Sequence, residues 1–243
     1  MTFPPSAEPL PDVKRALAIF AHPDDVDFGA AGTVAQWVNE GIEVAYVLVT
    51  RGDSGGFDDT PRDQMPALRE AEQRAAAAAV GVTEVEFLDG YRDGSVTPSL
   101  DLRRDLTRVL RRYRPDRVLT SSPLRRWERF AGPSHPDHLA VGEAVTCAIY
   151  PDARNPFAFP HLLGDLEPWV VRELWFSGGP NPDHAVDVTD LFETKLAALA
   201  EHKSQTSHVD VSGFLRERMA IMAAAAGLPE GRLAESFTVL RTE

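Results

Sequence analysis

Cysteine is nearly absent from this chain: Cys147 is the only one among 243 residues. An internal disulfide and a thiolate metal cluster each need at least two cysteines, so both are excluded. The residues around Cys147, from 144 to 149, are mostly apolar. We therefore expect Cys147 to be a buried core residue rather than a catalytic thiol.

Long apolar runs and an excess of positive charge are also missing. No stretch approaches the ~18 unbroken apolar residues of a membrane helix, and residues 1–14 lack the basic-then-apolar order of a signal peptide. The formal net charge is −12, which argues against a nucleic acid or an acidic membrane surface as the partner. We expect a cytoplasmic protein without a nucleic-acid partner or a membrane span, and a homo-oligomer is compatible with the sequence.

Strand and helix patterns alternate along the chain. Apolar, β-branched runs predict strands at residues 15–21, 43–49, 84–88, 117–121, 170–176, 185–188 and 235–240. Helical patterns lie at residues 27–39, 63–80, 100–113, 135–150, 190–202 and 209–226. This order predicts one α/β domain over residues 1–243, with an irregular arm at residues 1–13. We expect a Rossmann-like three-layer sandwich with a mainly parallel sheet and the active site at the carboxyl ends of its strands.

One imidazole and two carboxylates follow the first predicted strand, in the turn His22-Pro23-Asp24-Asp25. The two-residue gap between His22 and Asp25 lets both side chains converge on one point. A simpler interpretation exists for each residue alone. His22 can be a hydrogen-bonded core histidine, and either aspartate can be a helix N-cap.

A second cluster, His135-Pro136-Asp137-His138, follows the loop after the fourth predicted strand. Pro136 suits the first position of a helix, which places His135 and His138 on one side of its first turn. Alone, this cluster can be a helix start and no more. Because both clusters follow strands of one parallel sheet, we expect them at the same edge. Two histidines and one carboxylate there predict a catalytic zinc site with open positions.

The remaining acids and bases then acquire chemical roles. Asp24 lies beside a ligand and can accept a proton from a water whose pKa the metal lowers to about 7. His135 can stabilise an oxyanion or protonate a leaving amine, with Asp137 orienting its ring. A dinucleotide site is disfavoured, because Gly29-x-x-Gly32 lacks the first glycine of the fingerprint.

At these residues the sequence resembles the LmbE-like (PIG-L) family of zinc-dependent N-acetylglucosaminyl deacetylases. Residues 21–25 match the AHPDD-type motif of that family, and residues 135–138 match its HPDH motif. Supporting matches lie at residues 50–53, 69–72, 93–94 and 195–205. The resemblance thus spans about residues 15 to 205.

The resemblance implies roles for individual residues. Three of them would bind one Zn²⁺ per chain: His22, Asp25 and His138. Asp24 would be the general base. His135 would stabilise the oxyanion or act as an acid, supported by Asp137.

Substrate contacts are less well defined by the sequence. Arg69 matches an arginine that contacts substrate in members of the family, and Asp53 stands where many members have glutamate. His184 ends the segment Asn181-Pro182-Asp183-His184, which is similar to the HPDH motif but lacks its first histidine. We take all three as candidate substrate-binding residues, although His184 can also be a loop residue near the site.

The leading hypothesis is a hydrolase that removes an acyl group, expected to be acetyl, from the amide nitrogen of a small amino sugar or sugar conjugate. A non-haem iron oxygenase with the same two-histidine, one-carboxylate triad is an alternative. It is disfavoured because such sites usually occur on a β-barrel. A non-catalytic sugar-binding protein is a second alternative, disfavoured because it needs no base beside a metal.

Overall fold

The computed structural model describes residues 8–57, 59–129 and 131–242. Its strands are β1 (Arg15–Phe20), β2 (Glu43–Leu48), β3 (Glu84–Phe87), β4 (Arg117–Ser121), β5 (Glu173–Ser177), β6 (His184–Asp187) and β7 (Ala234–Arg241). Within these residues they form one sheet in the order β3-β2-β1-β4-β5-β7-β6. The first five strands run parallel, whereas β7 is antiparallel to β5 and β6. The predicted α/β fold with a mainly parallel sheet is confirmed.

The helices lie close to their predicted positions. They are α1 (Asp25–Asn39), α2 (Met65–Ala79), α3 (Leu100–Tyr113), α4 (Pro136–Cys147), α5 (Phe192–Glu201), α6 (Lys203–Thr206) and α7 (Val211–Ala225). A π-helical segment, Ala148–Ala153, continues α4. The main differences are at helix ends: α1 begins at Asp25 rather than at residue 27, and the short α6 follows α5 directly.

Alternating side chains of the buried strands supply two separate cores, one on each face of the sheet. On β1, Leu17 and Ile19 pack with α3 and α4, whereas Ala18 and Phe20 face α1 and α2. Helices therefore cover both faces, which confirms the three layers. A third cluster joins α7 to α5 and includes Met219.

The strand order places the two sequence clusters next to each other. β1 lies between β2 and β4, and the order reverses between β1 and β4. The turn with His22 follows β1, and the loop that leads to α4 follows β4. In open parallel sheets this switch point leaves a crevice at the carboxyl ends of the strands, where ligands bind.

Three further expectations concern the periphery. Residues 8–13 contain no helix or strand, while the rest of the predicted arm, residues 1–7, lies outside the described residues. Cys147 is only partly buried, because it lies near the exposed Glu143, one turn earlier on α4. In the part of the chain that the structure describes, no helix has the length and apolar character needed to cross a membrane.

Candidate active site

The turn after β1 brings His22 and Asp25 together. Asp24 has a φ of 88°, in the left-handed region, and this sharp turn lets Asp25 begin α1. The Asp25 carboxylate accepts a hydrogen bond from the His22 backbone N–H at 2.9 Å. As a result, Asp25 Oδ2 lies 3.4 Å from His22 Nδ1.

The start of α4 adds the second cluster. His135 is the N-cap, and its Nδ1 accepts a hydrogen bond from the Asp137 backbone N–H at 3.3 Å. His138 lies one turn into the helix, with its Nε2 2.9 Å from Asp25 Oδ1 and 3.2 Å from His22 Nδ1. The structure therefore brings His22, Asp25 and His138 to one point, as the sequence predicts. A nitrogen of His135 also lies within 4.8 Å of nitrogens of His22 and His138.

Two carboxylates hold the other nitrogen of His22. His22 Nε2 lies 3.0 Å from Asp93 Oδ1 and 3.1 Å from Asp137 Oδ2. These contacts direct Nδ1 towards Asp25 and His138. Asp137 is fully buried and also accepts hydrogen bonds from two backbone N–H groups, those of Gly94 at 2.7 Å and Val96 at 3.2 Å.

The role predicted for Asp137 needs a correction. Its carboxylate contacts His22, whereas the sequence predicted that it would orient His135. The reason is that the Asp137 side chain faces the loop after β3, where the backbone N–H groups of Gly94 and Val96 donate to it. The backbone N–H of Asp137 holds the His135 ring instead.

The electrostatics of the cluster favour a cation. Burial lowers the pKa of His22, but Asp25, Asp137 and Asp93 together raise it well above its usual value. Burial likewise opposes protonation of His138, yet Asp25 raises the pKa of that ring. Burial raises the pKa of Asp25, but the two imidazoles hold it well below its usual range. The point where the three side chains meet thus attracts positive charge, as a metal site does.

Asp24 has a different environment. Its Oδ2 accepts a hydrogen bond from Arg69 Nη2 at 2.9 Å, and its backbone N–H donates to Gln73 Oε1 at 2.9 Å. Burial raises the pKa of Asp24 to about 6; Arg69 opposes this shift and Asp25 adds to it. A carboxylate with a pKa near the working pH suits a general base.

Arg69 and Asp53, the first two candidate substrate-binding residues, have partners within the protein. Arg69 is 3% exposed and donates to the carbonyl oxygens of Gly52 at 3.1 Å and Pro23 at 2.7 Å, in addition to Asp24. It borders the main cavity, but its hydrogen bonds fix Asp24. Asp53 Oδ1 accepts from the Asp93 backbone N–H at 3.0 Å, so Asp53 supports the loop that holds His22.

His184, the third candidate, lies away from the cluster. It begins β6, and its ring centre is 5.0 Å from that of Trp175. It borders a separate cavity with Trp37 and Arg117. The interpretation of His184 as a loop residue beside the site was wrong, because its segment pairs with β7 as an edge strand.

Asp93 and Gln73 were not assigned roles from the sequence. Asp93 follows β3, and this position after a parallel strand could have identified it as a candidate site residue. Gln73 is fully buried in α2, and its Nε2 donates to Asp27 Oδ2 at 2.8 Å. A buried glutamine within an alanine-rich helix carries no spacing pattern that indicates such a contact.

A cavity of about 670 Å³ opens onto the cluster. Its lining includes His22, Asp24, Asp25, His135, His138 and Asp93. This volume lies in the range of about 300–1,000 Å³ typical of small-molecule sites. The candidate active site is therefore a concave site with one cation-favouring point and one perturbed carboxylate.

A comparison with known families decides the assignment. The family model described as PIG-L: GlcNAc-PI de-N-acetylase matches residues 17–149, more than half of the chain. This chain belongs to the PIG-L family. The resemblance carried by the two histidine-containing motifs is thereby confirmed, and both PIG-L motifs lie within the matched residues.

Several proteins similar to this chain are named as deacetylases. The chain is 34% identical over 203 residues to diacetylchitobiose deacetylase of Thermococcus kodakarensis, covering 82% of this chain and 72% of the relative. It is 32% identical over 192 residues to a 1D-myo-inositol 2-acetamido-2-deoxy-alpha-D-glucopyranoside deacetylase of Rhodococcus erythropolis, covering 66% and 62% of the two chains. The solved structure of N,N'-diacetylchitobiose deacetylase from Pyrococcus horikoshii superposes with a TM-score of 0.85 at 30% identity, covering 95% of this chain and 85% of that one.

Proposed function

We propose that this chain is a zinc-dependent hydrolase that removes an acyl group, expected to be acetyl, from the amide nitrogen of an amino sugar or sugar conjugate. The observation that carries this proposal is the meeting of His22, Asp25 and His138 beside the partly buried Asp24, inside a cavity at the carboxyl edge of the sheet. The names of the related deacetylases support an N-acetylated glucosamine unit in the substrate.

The donor atoms fit zinc. Two imidazole nitrogens and one carboxylate are a common ligand set of catalytic zinc, and His22 has the carboxylate partners that metal-bound histidines usually have. In this proposal His22, Asp25 and His138 hold the ion. Bound Zn²⁺ supplies a Lewis acid that polarises the amide carbonyl and makes water more acidic.

Asp24 acts as the general base, and His135 acts as a hydrogen-bond donor. With a pKa of about 6, Asp24 is ionised at neutral pH and takes the proton of the attacking water, while Arg69 and Gln73 hold it in place. Burial, reinforced by His22 and His138, lowers the pKa of His135, so the ring is neutral at pH 7. Because its Nδ1 accepts the Asp137 N–H, the ring proton is on Nε2, where it can donate to the developing oxyanion.

Metal quantification combined with a fluorescamine assay for released amine, over a panel of N-acetyl sugars that includes diacetylchitobiose, tests this function. We expect about one zinc per chain and amine release that a chelator abolishes, and His138→Ala should lose both. Zinc-free protein with full turnover would contradict the metal assignment. Tight sugar binding without turnover would support the sugar-binding alternative, and bound iron with oxygen consumption would support the oxygenase.

A further inference from the structure

The cavity that opens onto His22, Asp25 and His138 has a basic wall. Arg129, in the loop between β4 and α4, and Arg218, in α7, both line it. Phe214, also in α7, lines the same wall, and the Arg129 Cζ lies 5.1 Å from the centre of its ring. Two guanidinium groups from distant parts of the chain thus border one space.

Among the residues that the structure describes, no carboxylate forms an ion pair with Arg129 or Arg218. Burial, with the charges of Arg129 and Arg126, lowers the pKa of Arg218 to about 10. Burial and Arg126 also lower the pKa of Arg129. The Nε of Arg126 is itself buried without a hydrogen-bond partner. These three arginines therefore repel one another in a chain whose net charge is −12.

A nearby carboxylate is fully engaged elsewhere. Glu235 and Arg218 border the same small adjoining cavity, but Glu235 accepts from Lys195 Nζ at 2.7 Å and from the backbone N–H groups of Gly32 at 3.1 Å and Thr33 at 2.7 Å. Glu235 thus compensates the buried Lys195. The described residues thus supply no ion-pair partner for Arg129 or Arg218, and both side chains line a cavity that an anion can enter.

We propose that Arg129 and Arg218 form a subsite for an oxyanion, a carboxylate or a phosphate, on the part of the substrate that lies beyond the N-acyl amino sugar. This inference rests on the proposed deacetylase function and narrows its substrate class to acidic amino-sugar conjugates. Guanidinium groups match the geometry of carboxylate and phosphate oxygens, and the charged hydrogen bonds are stronger in a partly desolvated site.

Substrates with and without a negatively charged group test the subsite. The probes are the 2-carboxyethyl, 2-phosphoethyl and 2-carbamoylethyl glycosides of N-acetylglucosamine, each as both anomers. We expect kcat/KM to be at least about tenfold higher for a charged probe than for the carbamoyl probe. This preference should weaken as salt concentration rises, because salt screens the charges. The better of the two charged probes identifies the oxyanion.

Variants assign the preference to the two arginines. In the double variant Arg129→Gln/Arg218→Gln the ratio of charged to neutral kcat/KM should fall to about 1. Arg129→Gln alone should reduce the ratio at least about threefold. Because Arg129 lies on a surface loop, we expect this single variant to fold even if the double variant does not. Arg216→Gln is the matched control, because Arg216 lies on the same helix and pairs with Glu193 at 3.6 Å; it should keep the wild-type ratio.

The result that overturns the inference is an equal kcat/KM for all probes, or a charge preference that survives in the double variant. Calorimetric titration of the Asp24→Asn protein with the same glycosides gives a readout independent of turnover. If neither these probes nor the N-acetyl sugars of the wider panel are hydrolysed, the deacetylase proposal fails, and titration alone then decides the subsite. Tighter binding of a charged probe supports the subsite; equal binding, or no binding of any probe, rejects it.

Discussion

Asp24 and Asp25 are adjacent in the chain but occupy opposite electrostatic environments. Both are partly buried, and this burial raises the pKa of each carboxyl. Two imidazoles overcome that effect at Asp25, whereas at Asp24 the charges of Arg69, His202 and His22 do not, and the pKa remains raised to about 6. Neighbouring carboxylates whose environments separate their pKa values commonly divide the roles in catalysis. Here Asp25 suits a cation ligand and Asp24 a proton acceptor.

Removing the charge of Asp24 should separate catalysis from metal binding. Asn is the appropriate replacement, because Asp24 has a φ of 88° and Asn tolerates left-handed backbone better than Ala does. We expect Asp24→Asn to lower kcat about 10²- to 10⁴-fold while the zinc content stays at the wild-type value. Asp89→Asn, which changes an exposed carboxylate bonded to Arg51, should leave kcat unchanged. Undiminished turnover in Asp24→Asn would remove Asp24 as the base.

The buried carboxylate of Asp137 should control metal affinity through His22. Loss of its charge weakens the hold on His22 Nε2 and makes the ring a poorer ligand. We therefore expect Asp137→Asn to reduce zinc affinity about 10- to 100-fold, measured by competition with a chromogenic chelator. Glu143→Gln, an exposed change on the same helix, should keep the wild-type affinity. If both variants bind zinc equally well, the contact between Asp137 and His22 does not tune the site.

The cluster was predictable from the sequence, but the partners of its side chains were not. Strand ends and the x-x spacing brought His22, Asp25 and His138 together, as the structure shows. The direction in which the Asp137 side chain points depends on how the loop after β3 packs against α4. No local sequence pattern encodes this packing. The same applies to Arg69, for which the family resemblance implied a substrate contact, whereas its donors hold two backbone carbonyl oxygens and Asp24.

At the scale of elements, the position of α4 depends on one close approach. Gly142 packs against the end of β4, and a Cβ there would lie 2.3 Å from the Ser121 carbonyl oxygen and 2.9 Å from Pro123 N. These are backbone atoms, so they cannot move aside cheaply. α4 carries both His135 and His138, and this contact therefore fixes the distance between the two halves of the site.

Gly142→Ala should destabilise the protein and weaken catalysis together. Alanine gains roughly 1 kcal/mol in helix propensity, but overpacking against backbone costs about 1–3 kcal/mol; for contacts this short we expect a net loss of about 1–2 kcal/mol in the free energy of unfolding. Urea denaturation measures it. Gly213→Ala in α7 is the control, because its Cβ would meet only side-chain atoms of Asp210, the nearest at 2.8 Å, and no backbone atom of another element. A Gly142→Ala protein as stable as wild type would show that α4 can move.

α1 is anchored to α5 by a buried histidine. His202 Nε2 lies 2.8 Å from Asp27 Oδ2, the oxygen that also accepts from Gln73. Burial lowers the pKa of His202, but the hydrogen bond and charge of Asp27 raise it above its usual value. The chain of contacts from His202 through Asp27 and Gln73 reaches the backbone N–H of Asp24.

This anchor should make stability depend on pH with a defined sign. The folded pKa of His202 exceeds the unfolded value of about 6.5. Its contribution to the free energy of unfolding is therefore fully present below pH ~6.5 and is lost as pH rises through the folded pKa. We expect the stability difference between wild type and His202→Gln, from urea denaturation, to be larger at pH 6 than at pH 9. His161→Gln, at an exposed position, is the control and should leave the free energy of unfolding near the wild-type value; a larger His202→Gln difference at pH 9 than at pH 6 would contradict the assignment.

The buried parallel strands were predictable because apolar, β-branched runs leave a local signal. The directions of the edge strands β6 and β7 were harder to predict. The direction of β6 and of β7 depends on the neighbouring strand with which each pairs. This pairing places His184 beside Trp175 rather than at the candidate active site. An antiparallel edge on a parallel sheet is common, yet no residue of these short segments specifies it.

At the scale of the whole molecule, the site joins parts of the chain more than a hundred residues apart. His22 and Asp25 follow β1, while His138 belongs to α4, and the three meet only when β1 and β4 pair. An unfolded chain cannot present these three atoms together. A metal that binds the folded state alone therefore stabilises the fold by mass action.

Zinc removal should consequently lower the melting temperature of the whole chain. At a free zinc concentration about 100 times Kd, binding adds about 2.7 kcal/mol, which corresponds to roughly 5–10 °C for a chain of this size. We expect calorimetry to show one transition, since we propose a single domain, and to show it shifted down by that amount after chelation and restored by added zinc. His138→Ala should show no zinc-dependent shift, whereas His161→Ala should keep it. An unchanged melting temperature on chelation of wild type would mean that His22, Asp25 and His138 do not hold a metal in the folded protein.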